Sequence, residues 1–375
     1  MNILNINSSL DSISGGGTTE RTIQLSLNLA MEENFDVSIL TLDTRISDSV
    51  FNQLHKINVI KIPCINKRFL VPSLFNNQIA DSIKKADIIH LMSHWSVINL
   101  ISYYWIQKYN KPYVVCPAGA LPIYGRSKII KKIYNLVGGR ALIKNANVNI
   151  AITEDEIENF YDYQVNSKKI TVIPNGIDSK AFKYKNDQYI RDKFHLTDNP
   201  FILFVGRLNY IKGPDLLLKA FSNIEKKFPN YNLIFLGPDN HMKNGMILES
   251  IKLEIQNKVK FIGYQDGQVK SMFYHAAELL VIPSRSEAMS IVVLEAAITE
   301  TPVLMTTSCG LEELTGRNGA VAVNPDTESI TNGISQMLEN KNDFPTRGQN
   351  LKRYVESKFM WEIVIKKYVG MFKNI

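Results

Sequence analysis

The sequence predicts an α/β chain built as two doubly wound parallel-sheet domains, and three observations carry that reading. The first is length: 375 residues exceed one ordinary core and suit two domains of about 150–200 residues. The second is rhythm, because short Ile/Val-rich runs alternate with helix-length amphipathic stretches, the mark of parallel strands covered on both faces. The third is that the series occurs twice in one chain.

In the first half the apolar runs at 2–6, 37–42, 59–62, 88–91, 113–116 and 148–152 read as strands. Stretches 19–31, 97–109 and 128–144 read as the helices between them. The second half offers strands at 201–205, 233–236, 259–262, 279–282 and 303–305, with helices at 214–228, 246–256, 268–277 and 291–298. Pro174 and Asn175-Gly176, in Ile173-Pro-Asn-Gly-Ile-Asp178, punctuate the middle of the chain. The expected domains are 1–172, 173–355, and a helical tail 356–375 returning to the first domain. The stretch 349–372 reads as helix, with Phe359, Trp361, Tyr368 and Phe372 needing a surface to cover.

Hydrophobic residues make up 45% and charged residues 21%, a soluble globular balance, and no apolar run approaches the roughly 20 residues of a bilayer span. The N-terminus shows no basic n-region or long apolar h-region, so no secretion signal is expected. Cys64, Cys116 and Cys309 lie far apart, without metal-ligand spacing, and suit a reducing cytosol. The expected location is cytoplasmic, with or without peripheral attachment to the inner face of the cell membrane.

The net charge of +7 is unevenly spread. No Asp or Glu lies between Asp87 and Glu154, while Lys108, Lys111, Arg126, Lys128, Lys131, Lys132, Arg140 and Lys144 do. Such a surface suits nucleic acid, an anionic membrane face or a phosphorylated substrate; it would equally be a solvated basic face.

Gly15-Gly16-Gly17 follows the first strand and precedes a helix, where backbone can approach an anion. It is not the spaced G-x-G-x-x-G, and Thr18 or Thr19 would serve equally as a plain helix cap. In the second half, Gly206 and Arg207 end a strand, and Lys212-Gly213-Pro214 leads into a helix. Ligands of open parallel sheets bind beyond the carboxyl ends of the strands, so Arg207 and Lys212 suit a diphosphate. Surface salt bridges around a glycine turn are the plain alternative. Residues 281–295 read as strand, polar loop and helix. Glu287 sits in the loop, the amides of Ala288, Met289, Ser290 and Ile291 open the helix, and Glu295 falls about two turns in. Carboxylates suit hydroxyl recognition, although Glu295 in its apolar run would also serve as a satisfied structural acid.

These residues resemble the retaining glycosyltransferases of family 4. The resemblance rests on Glu287-x7-Glu295, Val205-Gly206-Arg207 with Lys212-Gly213, Pro174-Asn175-Gly176-Ile177-Asp178 and Leu236-Gly237-Pro238. In the first half it rests on Gly15–Gly17, Asp87-Ile-Ile-His90 and Pro117-Ala-Gly-Ala-Leu121. It implies the GT-B fold, two facing Rossmann-like domains with a C-terminal helix crossing back. It implies that Arg207 and Lys212 hold the donor diphosphate, and that Glu287 and the following amides hold the sugar. Glu295 would hold the ribose, while Gly16 and Gly17 approach the diphosphate from the other domain. The donor would be a UDP- or GDP-sugar, with no prosthetic group and no metal required. The partners would be a glycan or lipid-diphosphate-linked acceptor in polysaccharide or glycolipid assembly, and no nucleic acid. Met92 stands where many relatives carry a histidine, and His94, two residues on, would take that catalytic place or pack on Trp95. Ala288-Met-Ser replaces the relatives' Gly-Phe-Gly, which implies a differently shaped sugar pocket. The mixture of Ile, Leu and Lys over 121–145 has the composition of an interfacial helix that would meet an anionic membrane. Two other classes stay open: a sugar-nucleotide epimerase of the same architecture, and a non-catalytic nucleotide-binding protein.

Overall fold

A computed structural model describes residues 1–44, 46–73, 77–123, 127–316 and 318–375, with backbone alone at 12–14 and 49. The basic-stretch residue Arg126 lies outside the described residues. The chain divides into one unit of Met1–Gly176 with Trp361–Ile375, and a second of Ile177–Met360.

The first unit holds β1 (Asn2–Ile6), β2 (Asp36–Leu42), β3 (Asn58–Ile62), a short hairpin of β4 (Cys64–Asn66) and β5 (Val71–Pro72), then β6 (Ile88–Met92), β7 (Tyr113–Cys116), β8 (Val148–Ala151) and β9 (Ile170–Val172). Apart from the hairpin they form one parallel sheet in the order β3-β2-β1-β6-β7-β8-β9. The second unit holds β10 (Phe201–Val205), β11 (Asn232–Leu236), β12 (Val259–Gly263), β13 (Leu279–Ile282), β14 (Val303–Thr306) and β15 (Val321–Val323). They form a parallel sheet ordered β12-β11-β10-β13-β14-β15. The apolar runs are continuous because helices bury both faces: Ile202, Phe204, Leu233 and Val281 pack on Leu217 and Phe221 in the second core. In each sheet the strand order reverses once, at β1/β6 and at β10/β13, which opens a crevice at the carboxyl ends there.

Three expectations change. The first helix begins earlier, at Ser12, and runs to Leu29 with a break at Gly16 (φ 56°, ψ −142°), so the glycines form a kink within helix rather than a loop before it. The 128–144 stretch is three pieces: Lys128–Tyr134, a wide π turn at Asn135–Gly139, and Arg140–Lys144. Gly139 allows this turn, because a Cβ there would meet the Tyr134 ring at 2.3 Å. The tail is two helices, Phe344–Lys358 and Trp361–Lys373, parted where Met360 bridges Ile177. The second of them packs on the Ser12–Leu29 helix and belongs to the first unit. Strands β9 and β15 escaped the sequence reading because each is a half-buried, three-residue edge strand with little periodicity to detect.

Candidate active site

At the end of β10 the chain enters a turn stitched from several directions. Gly206 N donates to Leu236 O at 2.9 Å, and Leu208 N to Pro238 O at 3.0 Å. A Cβ on Gly237 would sit 2.0 Å from Gly206 O, so glycine alone permits this approach of backbone to backbone. Asn209 accepts the Lys212 N–H at 2.9 Å, and Gly213 in the left-handed region (φ +66°) starts the Pro214–Ile224 helix. Arg207 is half-buried at this edge.

The loop after β13 meets that turn. Lys212 Nζ lies 2.6 Å from Glu287 Oε2, and the Ser284 hydroxyl donates to Glu287 Oε1. Glu287 N donates to Ser308 O at 2.8 Å and Ser290 N to Cys309 O at 3.1 Å, so the β14 loop props the Glu287 loop from behind. Ala288 is half-buried, while Met289 and Ser290 are buried at the mouth of the helix Ile291–Ile298. Arg285 locks the two loops together. It forms a bidentate pair with Asp215 (2.9 and 2.6 Å), donates to Tyr210 O at 2.6 Å and stacks on the Tyr210 ring, 4.0 Å from its centroid.

Glu295 is the fifth residue of its helix, closer to one turn than two from the mouth, and only 6% exposed. Its burial is compensated. Lys270 Nζ lies 2.6 Å from Oε1, and the Tyr274 hydroxyl donates to Oε2 at 2.5 Å. Burial, and then the Glu295 charge, push the Tyr274 hydroxyl pKa well above its ordinary value, so it stays a donor.

In the first unit, Gly16 holds the helix kink and Gly17 is exposed beside it, at the β1/β6 crevice. His90 is fully buried, its pKa lowered to about 3 by burial and by Arg21, with its ring against Tyr368 and Phe372. Of the two places expected for His94, the structure shows the packed one, with its ring 4.4 Å from that of Trp95. Its ring is 0% exposed, enclosed by Trp95, Tyr134 and Tyr163, with Nε2 3.1 Å from Asn135 Oδ1. Burial, with a smaller contribution from Lys131, lowers its pKa to about 4 despite the Asn135 bond, so the ring is neutral near pH 7.

Two family models divide the chain between them: Glycosyltransferase Family 4 over residues 15–181 and Glycosyl transferases group 1 over 185–356. Taken together, the two models span most of the chain and mark it as a glycosyltransferase. An uncharacterized glycosyltransferase of Methanocaldococcus jannaschii is 30% identical over 212 residues, 55% of this chain and 54% of that one. Lipopolysaccharide 1,2-N-acetylglucosaminetransferase of Salmonella typhimurium is 27% identical over 240 residues, 61% of this chain and 62% of that one. The chain thus spans little more than half of these relatives' length. Among solved structures, Anabaena HepE in complex with UDP-glucose superposes with a TM-score of 0.82 over the whole of both chains at 18% identity. Sucrose-phosphate synthase from Thermosynechococcus elongatus gives 0.79 at 20% identity, over 100% of this chain and 98% of that one. The shared fold is GT-B.

Sequence reasoning about this glycosyltransferase missed Lys270, Tyr274, Ser284 and Arg285. Lys270 and Tyr274 carried a signal, since their i,i+4 spacing presents both to one partner. It also missed Arg21, buried among Asn175 Oδ1 (2.5 Å), Ile173 O (3.1 Å) and the Tyr368 hydroxyl. Arg21 falls in i,i+4,i+8 register with Leu25 and Leu29, and that register marks it as inward-facing.

Proposed function

We propose that the protein transfers a sugar, with retention of anomeric configuration, from a nucleoside-diphosphate sugar to a glycan or lipid-linked acceptor. The observation that carries this reading is the Lys212–Glu287 pair at the β10/β13 crevice, with Arg207 on the same turn and Glu295 along the adjoining helix. Arg207 and Lys212 take the diphosphate and offset the charge that develops on the leaving nucleotide. When Lys212 turns to phosphate, Glu287 Oε2 is released for the sugar hydroxyls while Ser284 keeps Oε1 in place. The amides of Ala288, Met289, Ser290 and Ile291 hold the sugar at the helix mouth. Glu295, preset by Tyr274, takes the ribose. In the first unit, Gly16 and Gly17 give the β1/β6 crevice a backbone that can approach an anionic group. A UDP-sugar is favoured over a GDP-sugar because the HepE structures hold UDP and UDP-glucose. The Salmonella relative's name supports an acceptor in surface-glycan assembly. Such an acceptor places the work in the cytoplasm, at the inner membrane face.

Thermal-shift titration with UDP-, GDP- and ADP-sugars tests the donor. At a hundredfold excess over Kd the true donor adds about 2.7 kcal/mol, which raises Tm by roughly 5–10 °C. Lys212→Ala and Glu295→Ala each lose turnover by about a hundredfold or more. Wild-type turnover in both, or a flat response to every sugar nucleotide, would overturn the reading.

A further inference from the structure

The helix Lys128–Tyr134 and the π turn after it carry five aliphatic side chains that stand more than half in solvent. Ile129 is 75% exposed and Leu136 87%, and Ile130, Ile133 and Val137 are each more than half exposed. No residue of the Lys128–Tyr134 helix is buried. Positions 129, 133 and 136, and 130, 133 and 137, recur at helical spacing, so the five form one outward ridge. Its inner side is held firmly. The Tyr134 hydroxyl donates to Ser96 O at 3.2 Å, and Asn135 joins His94 and the Tyr163 hydroxyl, the latter at 2.9 Å. Beyond it, Leu142 and Ile143 are buried in the core. The enclosed His94 therefore has a structural task as a fastener of this ridge. Lys128, Lys132, Arg140 and Lys144 are exposed around it.

We propose that this ridge seats the protein on an anionic lipid bilayer. The inference stands apart from the donor-site reading. Contiguous exposed aliphatic surface of this extent marks an interaction face. A ring of cations, in a stretch from 88 to 153 without one carboxylate, selects an anionic partner. The shape selects a bilayer: the apolar groups protrude, so a rigid protein would need a matching groove, whereas fluid acyl chains accept them as they stand. The lysine stems lie along the apolar boundary with their ammonium groups at headgroup level. A second copy fits poorly, since a two-fold contact through the ridge would set Lys128 and Lys132 against their own equivalents. Among the described residues no helix is long and apolar enough to cross a membrane, so the seating is superficial.

The test is flotation of the full chain with phosphatidylcholine vesicles, with and without phosphatidylglycerol. Wild type floats with the anionic vesicles and is released by salt. Lys128→Glu/Lys132→Glu and, separately, Ile133→Glu/Leu136→Glu weaken binding by about tenfold or more. Because these side chains are exposed, the melting curves of the variants match wild type. Leu136→Trp adds a positive readout against wild type, whose three native tryptophans set the baseline: the added emission shifts to the blue on anionic vesicles and is quenched by brominated lipid. Wild type left unbound by both vesicle types, either double variant floating like wild type, or emission from the Leu136→Trp variant that brominated lipid leaves unquenched would overturn the proposal. So would a concentration-dependent dimer that Leu136→Glu abolishes, which would assign the ridge to self-association.

Discussion

Tyr274 does for Glu295 what no charge alone can do. Lys270 neutralises the carboxylate at Oε1, but the hydroxyl at Oε2 fixes the plane of the group, as the proposed ribose contact requires. Tyr274→Phe keeps the ring and removes that bond, leaving a buried carboxylate oxygen short of a donor. The expected result is a loss of about 1.5–3 kcal/mol in stability, with donor affinity weakened about tenfold, read by urea denaturation and by calorimetric titration. Unchanged affinity would show that Lys270 suffices to orient Glu295. At this scale the sequence was only partly legible. Glu287, Glu295, Arg207 and Lys212 stand in motifs whose spacing is local, and the structure gathers Lys212 with Glu287 as well as placing Glu295 in the adjoining helix. Their supporting side chains arrive from other strands, and that convergence is set by sheet order, which no short spacing encodes. His94 stayed ambiguous because a histidine after a strand looks the same in sequence whether it faces a crevice or an aromatic cage.

The elements that present these side chains depend on glycines where backbone meets backbone. Gly213 combines a left-handed conformation with a neighbour that leaves no room: a Cβ would fall 2.1 Å from Pro283 O. Gly213→Ala therefore incurs both backbone strain and a clash with the strand end that carries the Glu287 loop. It should cost about 2–4 kcal/mol and reduce turnover together with donor affinity, since Lys212 precedes it. Gly370→Ala is the matched control, on an exposed helix face with nothing within 4 Å of the new Cβ, and should add about 0.5–1 kcal/mol. Equal stability of the two variants by chemical denaturation would refute the argument. Buried strands such as β7, β10 and β13 were legible to the residue, because burial on both faces demands unbroken apolar runs. Element ends were not, where tertiary contacts decide them: Met360 breaks the tail by pairing with Ile177, and Gly139 permits the π turn.

For the molecule as a whole, the two histidines held neutral in the first unit set its response to acid. Folded values of about 3 for His90 and about 4 for His94 lie below the unfolded value of 6.5. Between these limits the unfolded chain binds more protons, so stability is full above pH 6.5 and falls as pH drops toward 4. Going from pH 7 to pH 5 should cost the first unit about 4 kcal/mol, about 2 from each ring. Glu156, whose pKa burial raises despite the amides of Gly119 and Ile152, works in the opposite sense and trims this loss near the acid end. The measurement is convenient, because Trp95, Trp105 and Trp361 all belong to the first unit. Tryptophan fluorescence then follows that unit, while far-ultraviolet circular dichroism follows both. A fluorescence midpoint in urea that is the same at pH 5 and pH 7 would refute the assignment.

Arg21 has a further consequence for how the protein is made. Its guanidinium is buried against Asn175, the Ile173 carbonyl and the Tyr368 hydroxyl, and Tyr368 is separated from the rest of the first unit by the entire second unit. A ribosome must translate 184 residues of intervening chain before that hydroxyl emerges. Until then Arg21 lacks the last of its three partners, and the Ser12–Leu29 helix lacks the helix that covers it. Completion of the first unit waits on the synthesis of the whole unit that follows it in the chain.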